Sequence, residues 1–204
     1  MVDTLGIYEH HSHNPQQNFS AGLTKQNPEA TFAEQFALAY RERFRKIHSG
    51  TSKWKTLFVR EVPVFGNGIA DLLALSWSHD RTVQVSTCLN LEKLDPTVRA
   101  FEFKLSDWRK GLMQAHRYKY FSHASILVLP NYKIKSVQPQ IHIFRKLRVG
   151  LWGFSPETGT ITCCYTPRPI KQQIAKYGER AIRLAAQAMC SQFGSLLELS
   201  QAIQ

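Results

Sequence analysis

The stretch that decides the fold is Val98-Arg99-Ala100-Phe101-Glu102-Phe103-Lys104-Leu105. It is predicted to form a β-strand because apolar and polar residues alternate along it. Successive side chains of a strand point to opposite faces, so Glu102 and Lys104 share one face. The apolar residues of the other face are predicted to point into the core: Phe101, Phe103 and Leu105. On its own, the Glu-x-Lys triplet is more typical of an exposed ion pair, since such pairs are common and contribute little to stability.

An upstream segment supplies a second carboxylate. Ile69–Leu75 is predicted to be a strand, and Asp71 is its one charged residue. Burying an unpaired carboxylate is costly, so such an acid usually has a polar partner or a metal ion. One interpretation is a capped or salt-bridged acid in the core. The other is that Asp71 and Glu102 hold an ion together, because two carboxylates with water and phosphate oxygens suit Mg²⁺.

A helix is predicted directly after this strand. Ser106 is its expected N-cap, and it continues to about Tyr120. Gln114 and Tyr118 lie four positions apart on it and are therefore neighbours. Its more solvated side carries three basic residues: Arg109, Lys110 and Arg117. A solvated helix face is the plain interpretation of these cations, and contact with a phosphate backbone is the functional one.

The remaining elements predict an α/β fold, a mixed sheet flanked by helices. A first helix is expected from about Phe32 to His48, with Thr31 and Glu34 as a capping box. The other expected strands are Leu57–Val64, Ser125–Leu129, Gln140–Phe144, Val149–Phe154 and Thr160–Tyr165, with a further candidate at Thr82–Thr87. A last helix is expected from about Ile170 to Cys190. Residues 1–30 are polar and predicted to form a flexible arm, whereas residues 31–204 are predicted to form one domain.

The amino-acid composition indicates which kind of partner the protein binds and which cellular compartment it occupies. The chain has 26 Lys and Arg residues against 15 Asp and Glu residues, a formal net charge of +11. Such an excess favours a polyanionic partner, most often nucleic acid. The four cysteines lack the spacing of a zinc site and are expected to be reduced thiols in a cytoplasmic protein. No apolar run is long enough to cross a membrane, so no membrane partner is expected.

Together these motifs resemble the PD-(D/E)XK superfamily of nucleases, which are also called restriction-endonuclease-like. The resemblance lies in Asp71 on the second strand, the triplet Glu102-Phe103-Lys104 on the third, and a helix with Gln114 and Tyr118 before an apolar strand. It covers about residues 31–130. Two features depart from the pattern: Ala70 stands where many members have proline, and the stretch between Asp71 and Glu102 is long.

The resemblance implies a fold and a set of residue roles. The fold would be a restriction-endonuclease-like core of the order αβββαβ, followed by a β-hairpin and a helix. The implied ligands of Mg²⁺, or of Mn²⁺ in its place, are Asp71, Glu102 and the carbonyl of Phe103, with Glu34 as a candidate from the first helix. Lys104 would orient the attacking water or stabilise charge, and Gln114 would contact the scissile phosphate. The implied contacts to nucleic acid come from Arg109, Lys110, Arg117 and Tyr118.

The resemblance implies a metal-dependent DNA endonuclease that acts on double-stranded DNA. Two alternatives share the fold: a catalytically silent module that binds nucleic acid or assembles with it, and an RNase. The complete set of Asp71, Glu102 and Lys104 argues against the silent module. Many members act as dimers, so a homodimer or a larger nucleoprotein complex is compatible with the sequence.

Overall fold

The structure is a computed structural model that describes residues 27–47, 54–64, 66, 68–78, 91 and 93–193. The candidate strand at Thr82–Thr87 and most of the predicted N-terminal arm lie outside these residues. No helix within them is long and apolar enough to cross a membrane.

In this part of the chain six strands form one mixed, open sheet in the order β1-β2-β3-β4-β5-β6. The strands are β1 Trp54–Val64, β2 Gly68–Ser78, β3 Thr97–Phe103, β4 Ala124–Pro130, β5 Val149–Ser155 and β6 Thr160–Tyr165. The pairs β1–β2, β2–β3 and β5–β6 are antiparallel, and the pairs β3–β4 and β4–β5 are parallel. The three parallel strands therefore end at the same end of the sheet, which we call its carboxyl end, and begin at the other, its amino end.

Helices cover both faces of the sheet, which confirms the predicted α/β class. They are α1 Pro28–Ile47, α2 Trp108–Arg117, α3 Asn131–Val137, α4 Ile141–Leu147 and α5 Ala175–Phe193. Helix α1 packs on one face against Phe101, Phe103 and their neighbours. The other helices pack on the opposite face, α2, α3 and α4 over β4 and β5 and α5 over β1.

Helix α1 is held on the sheet by aromatic side chains. Phe36 lies at the centre, with its ring 5.1 Å from Phe103, 5.4 Å from Phe101 and 5.5 Å from Phe154 between centroids. Tyr40, one turn later, packs edge-on against Phe101 at 5.4 Å. These contacts fix α1 over β3, which carries Glu102 and ends one residue before Lys104.

The predicted start of α1 and its capping box are wrong. The helix begins at Pro28, and the Asn27 side chain accepts a hydrogen bond from the Glu29 amide at 3.1 Å. Proline suits the first helical position because its missing N–H is not needed there. Thr31 therefore lies inside the helix, and residues 28–30, which were predicted to belong to the arm, form its first turn.

The predicted strand at Gln140–Phe144 is also wrong, because the chain is helical there. Helices α3 and α4, with a 3₁₀ turn at Gln138–Gln140 between them, connect β4 to β5. Ile134, Val137 and Phe144 are buried against the sheet. The alternation of apolar Ile141 and Ile143 with polar residues is typical of a strand, which explains the wrong prediction. The buried positions of the segment instead follow helical spacing.

The last helix begins at Ala175, five residues later than predicted. Before it, residues 166–174 run without regular structure across the amino end of the sheet. The amides of Ile170 and Ile174 donate to the carbonyls of His123 and Tyr120 at 2.9 and 3.2 Å. These amides are therefore used in tertiary contacts rather than in a helix.

Candidate active site

The two predicted carboxylates meet where β2 and β3 separate at the carboxyl end of the sheet. The backbone ladder between the strands runs from the pair Ser76–Thr97 to the pair Leu72–Phe101. The next pair in this register is Asp71 and Glu102, and residues directly opposite each other in an antiparallel pair share a face. The ladder ends there, and the Phe103 amide instead donates to Asp71 Oδ2 at 2.8 Å.

Asp71 is half-buried beside other charges. Burial raises its pKa, and the nearby carboxylates of Glu29 and Glu61 raise it further. The Phe103 amide and the charge of Lys104 act in the opposite direction. Net, the pKa of Asp71 is raised.

Glu102 is fully buried. Its Oε2 accepts a hydrogen bond from the hydroxyl of Tyr118. Its Oε1 pairs with the ammonium of Lys104, at 2.9 Å from Nζ, and has no other hydrogen-bond partner among the described residues. Burial and then the charge of Asp71 raise the pKa of Glu102.

Lys104 lies between two carboxylates. Its Nζ is 2.9 Å from Glu102 Oε1 and 3.3 Å from Glu29 Oε2, and its side chain is 14% exposed. Burial alone would lower its pKa, but Glu102, Glu29 and Asp71 outweigh burial and raise it. Lys104 is therefore fully protonated at neutral pH and presents a fixed positive charge beside Asp71 and Glu102.

Glu29 is the acidic residue of α1 that belongs to this cluster, and it was not predicted from the sequence. Besides contacting Lys104, its Oε1 accepts from the Leu105 amide at 3.2 Å. Glu34, the candidate ligand, is exposed and pairs with Arg60 instead. The signal for Glu29 was the dipeptide Asn27-Pro28, which places Glu29 in the first turn of the helix.

Helix α2 presents one stripe of residues to the cluster. A side chain at Gly111 would lie 2.7 Å from Lys104 Cγ, so the helix packs directly on that residue. Tyr118 reaches Glu102 and also donates to the Ile69 carbonyl at 2.6 Å. Gln114 lies between these positions on the same face, and its Oε1 is buried without a hydrogen-bond partner among the described residues. Asp107, rather than the predicted Ser106, caps the helix through the Lys110 amide at 3.0 Å.

Tyr118 was expected to contact nucleic acid, and its position corrects that expectation. The residue is 1% exposed, so it has no surface to offer to an external partner. Burial and the charge of Glu102 raise its pKa, so its hydroxyl stays protonated as a donor. Its observed contact is with Glu102, whose carboxylate it holds in place.

The three basic residues of α2 do not form one patch. Arg109 and Lys110 are exposed at the start of the helix, near the carboxyl end of the sheet, and Arg109 lies 4.6 Å from the centre of the Trp108 ring. Arg117 is exposed at the last helical position. Seven residues at 1.5 Å each separate Lys110 from Arg117 by about 10 Å along the axis, so Arg117 lies toward the amino end.

Replacing Tyr118 with Phe is expected to lower the free energy of unfolding by about 1–3 kcal/mol, since buried Glu102 Oε2 and the Ile69 carbonyl lose their shared donor. The ring stays, so its packing against Phe121 is kept. Denaturant unfolding without metal measures the effect. Tyr132→Phe, at a tyrosine that is 77% exposed, is the matched control and should stay within about 0.5 kcal/mol of wild type. Equal unfolding free energies for the two variants would contradict this role.

Comparison with known proteins identified no relative of this chain. A scan against protein-family models, a search of curated proteins and a search of solved structures each found no match. The chemistry of the site therefore has to follow from its own residues and contacts.

Proposed function

We propose that this protein is a metal-dependent nuclease of the PD-(D/E)XK type that cleaves phosphodiester bonds in DNA. The observation that carries the proposal is the convergence of Asp71, Glu102 and Lys104 where β2 and β3 separate. Lys104 Nζ lies 2.9 Å from Glu102, and the charge of Asp71 acts on both residues. Two carboxylates on neighbouring strands, with an ammonium directly after the second strand, suit phosphoryl chemistry, in which charge must be neutralised in a fixed arrangement.

The order of elements supports a restriction-endonuclease-like core. Along the chain α1, three antiparallel strands, α2 and then β4 follow each other, and β4 pairs in parallel with β3. This is the αβββαβ order, and the hairpin of β5 and β6 precedes the last helix, α5. The proposed site lies at the carboxyl end of β3, where α1 and α2 both contact it.

The donor set fits a hard cation that keeps part of its water shell. No group of three or more His, Cys, Asp or Glu side chains within the described ranges is arranged to hold a metal alone. Mg²⁺ often binds through one or two carboxylates with water and substrate oxygens. Asp71, Glu102 and the Phe103 carbonyl would hold it, with Mn²⁺ as a substitute. When bound, Mg²⁺ supplies a lowered pKa for an attacking water and neutralises charge on the phosphate.

Side chains of the protein would supply the other functions of the site: electrostatic stabilisation, orientation of Glu102 and contacts to the substrate. Protonated Lys104 holds a positive charge where the attacking water and the developing negative charge would lie. Tyr118 orients Glu102. Gln114, whose buried Oε1 has no hydrogen-bond partner among the described residues, lies on the same helix face, and its amide N–H groups would donate to a phosphate oxygen. Arg109 and Lys110, exposed beside the site, would contact the flanking backbone of duplex DNA, which positions the substrate without reading its sequence.

Incubation of the purified chain with supercoiled DNA and, separately, with RNA tests the proposal. With Mg²⁺ we expect supercoiled DNA to become nicked or linear, and with excess EDTA we expect no cleavage, because the carboxylates would lack their ion. Cleavage of RNA alone would favour an RNase of the same fold. Binding without cleavage in Mg²⁺ and in Mn²⁺ would favour a silent binding module.

A further inference from the structure

The net charge of the chain is concentrated in one segment. Residues 108–178 contain 12 of the 26 Lys and Arg residues but one of the 15 Asp and Glu residues, Glu157. Their net charge of +11 equals that of the whole chain, so the rest of the sequence is balanced. A field this uneven draws polyanions to the surface that the segment forms.

Six of these cations lie at the amino end of the sheet, opposite to the proposed active site. Three chain connections meet there: the one after α2, the one between α4 and β5, and the one after β6. We call the set that they present the basic surface, and it consists of Arg117, Lys119, Arg145, Arg148, Arg168 and Lys171. Strand β3 separates this surface from the site by seven residues, or about 20 Å at 3.3 Å per residue.

Main-chain oxygens, rather than carboxylates, hold the centre of the basic surface together. Lys119 Nζ donates to the Leu147 carbonyl at 2.9 Å, and Arg148 Nη2 donates to the Arg168 carbonyl at 3.4 Å. Among the residues that the structure describes, none of the six cations forms an ion pair with an acid. Burial and then the charge of Arg148 lower the pKa of Lys119, as expected where like charges are crowded. The carboxylate of Asp95 lies near His123 at this end of the sheet.

A further feature of the basic surface is the backbone conformation of Arg148. Arg148 ends helix α4 in the left-handed conformation, with a φ of 55°. This position usually favours glycine, because other residues meet a steric penalty there. The chain has an arginine at this position, and its guanidinium is exposed beside Arg168 and Lys119.

We propose that the basic surface binds the phosphate backbone of nucleic acid. Four of its six cations are arginines, whose planar guanidinium matches phosphate oxygens in pairs. A membrane is the weaker fit, since the apolar side chains here, Ile170 and Ile174, are 36% and 38% exposed and offer little area to insert.

The test measures binding of a duplex DNA of about five helical turns in EDTA over a range of salt concentrations. The variant carries Arg148→Gly, Arg168→Ala and Lys171→Ala together. Glycine suits the positive φ of position 148, and the other two side chains are exposed, so the fold should be kept. We expect weaker binding and a log–log salt slope that is shallower by about 0.9 for each phosphate that the variant no longer neutralises.

A matched variant removes three exposed cations elsewhere, Arg41→Ala, Arg43→Ala and Lys93→Ala, and should leave the slope near that of wild type. Combining the basic-surface variant with Arg109→Ala and Lys110→Ala should weaken binding additively, because the two surfaces are separate. Equal slopes for the basic-surface and matched variants would overturn the proposal. So would unchanged DNA binding together with abolished binding to phosphatidylserine vesicles. Because the test measures binding and not cleavage, its outcome is independent of the proposed nuclease activity. A protein that does not cleave DNA can still bind it through the basic surface, and a nuclease can cleave DNA without using that surface.

Discussion

Replacing Lys104 with Met is expected to lower the rate of DNA cleavage by about 10²–10³, which is the usual cost of losing one preorganised electrostatic group. Methionine keeps the length and the apolar stem of the side chain, which packs against Gly111 of α2. It removes the positive charge that lies 2.9 Å from Glu102. Since that charge also lowers the pKa values of Glu102 and Asp71, both carboxylates should become harder to ionise in the variant without metal.

Single-turnover cleavage at saturating Mg²⁺ and saturating DNA isolates this effect from binding. Lys93→Met makes the same chemical change at an exposed lysine outside the site and should cleave like wild type. Thermal unfolding shows whether the Lys104 variant is folded at the assay temperature. A folded Lys104→Met protein that cleaves as fast as wild type would remove Lys104 from the mechanism.

Replacing Asp71 with Asn should weaken Mg²⁺ binding and, through it, cleavage. The amide keeps an oxygen that can accept from the Phe103 amide, so the junction of β2 and β3 should survive. It removes one of the two carboxylates that would hold the ion. Loss of a residue that merely supports a ligand typically costs about 10–100-fold in metal affinity, so loss of a ligand should cost at least as much.

Calorimetric titration with Mg²⁺ measures the affinity, and cleavage is followed over the same range of Mg²⁺ concentrations. Glu34→Gln is the informative control, because Glu34 is the acid of α1 that the sequence suggested as a ligand and that pairs with Arg60 outside the cluster. It should bind Mg²⁺ and cleave like wild type. Affinity for DNA without metal should be nearly unchanged in both variants, since contacts to phosphates elsewhere dominate it. The opposite pattern, with Glu34→Gln impaired and Asp71→Asn normal, would contradict the assignment.

The parts of the site that the sequence predicted are those set by strand alternation. Period two along Val98–Leu105 places Glu102 and Lys104 on one face whatever the rest of the chain does. Asp71 was predicted to be a site residue because it is the one charged residue in an otherwise apolar strand. The register that sets Asp71 opposite Glu102 depends on the pairing of β2 with β3, which no local pattern specifies.

The parts that were missed depend on tertiary contacts. Glu29 enters the site because α1 begins at Pro28, one turn before the strongest capping pattern, and element boundaries are weakly coded. Residues 170–174 were predicted to be helical, but amides of this segment donate to carbonyls of residues 119–123 across the amino end of the sheet. Arg117 is exposed like Arg109 and Lys110. It is the last residue of α2, however, and therefore lies toward the amino end of the sheet, away from the other two.

The most direct test of the central claim is the position of a bound ion. A crystal of the full chain grown or soaked with Mn²⁺, which shares the preference of Mg²⁺ for oxygen ligands, allows the ion to be located by its anomalous scattering. We expect a peak shared by the carboxylates of Asp71 and Glu102, with Lys104 beside it. A Mn²⁺ peak elsewhere, with Glu102 still paired only with Lys104 and Tyr118, would contradict the proposed site.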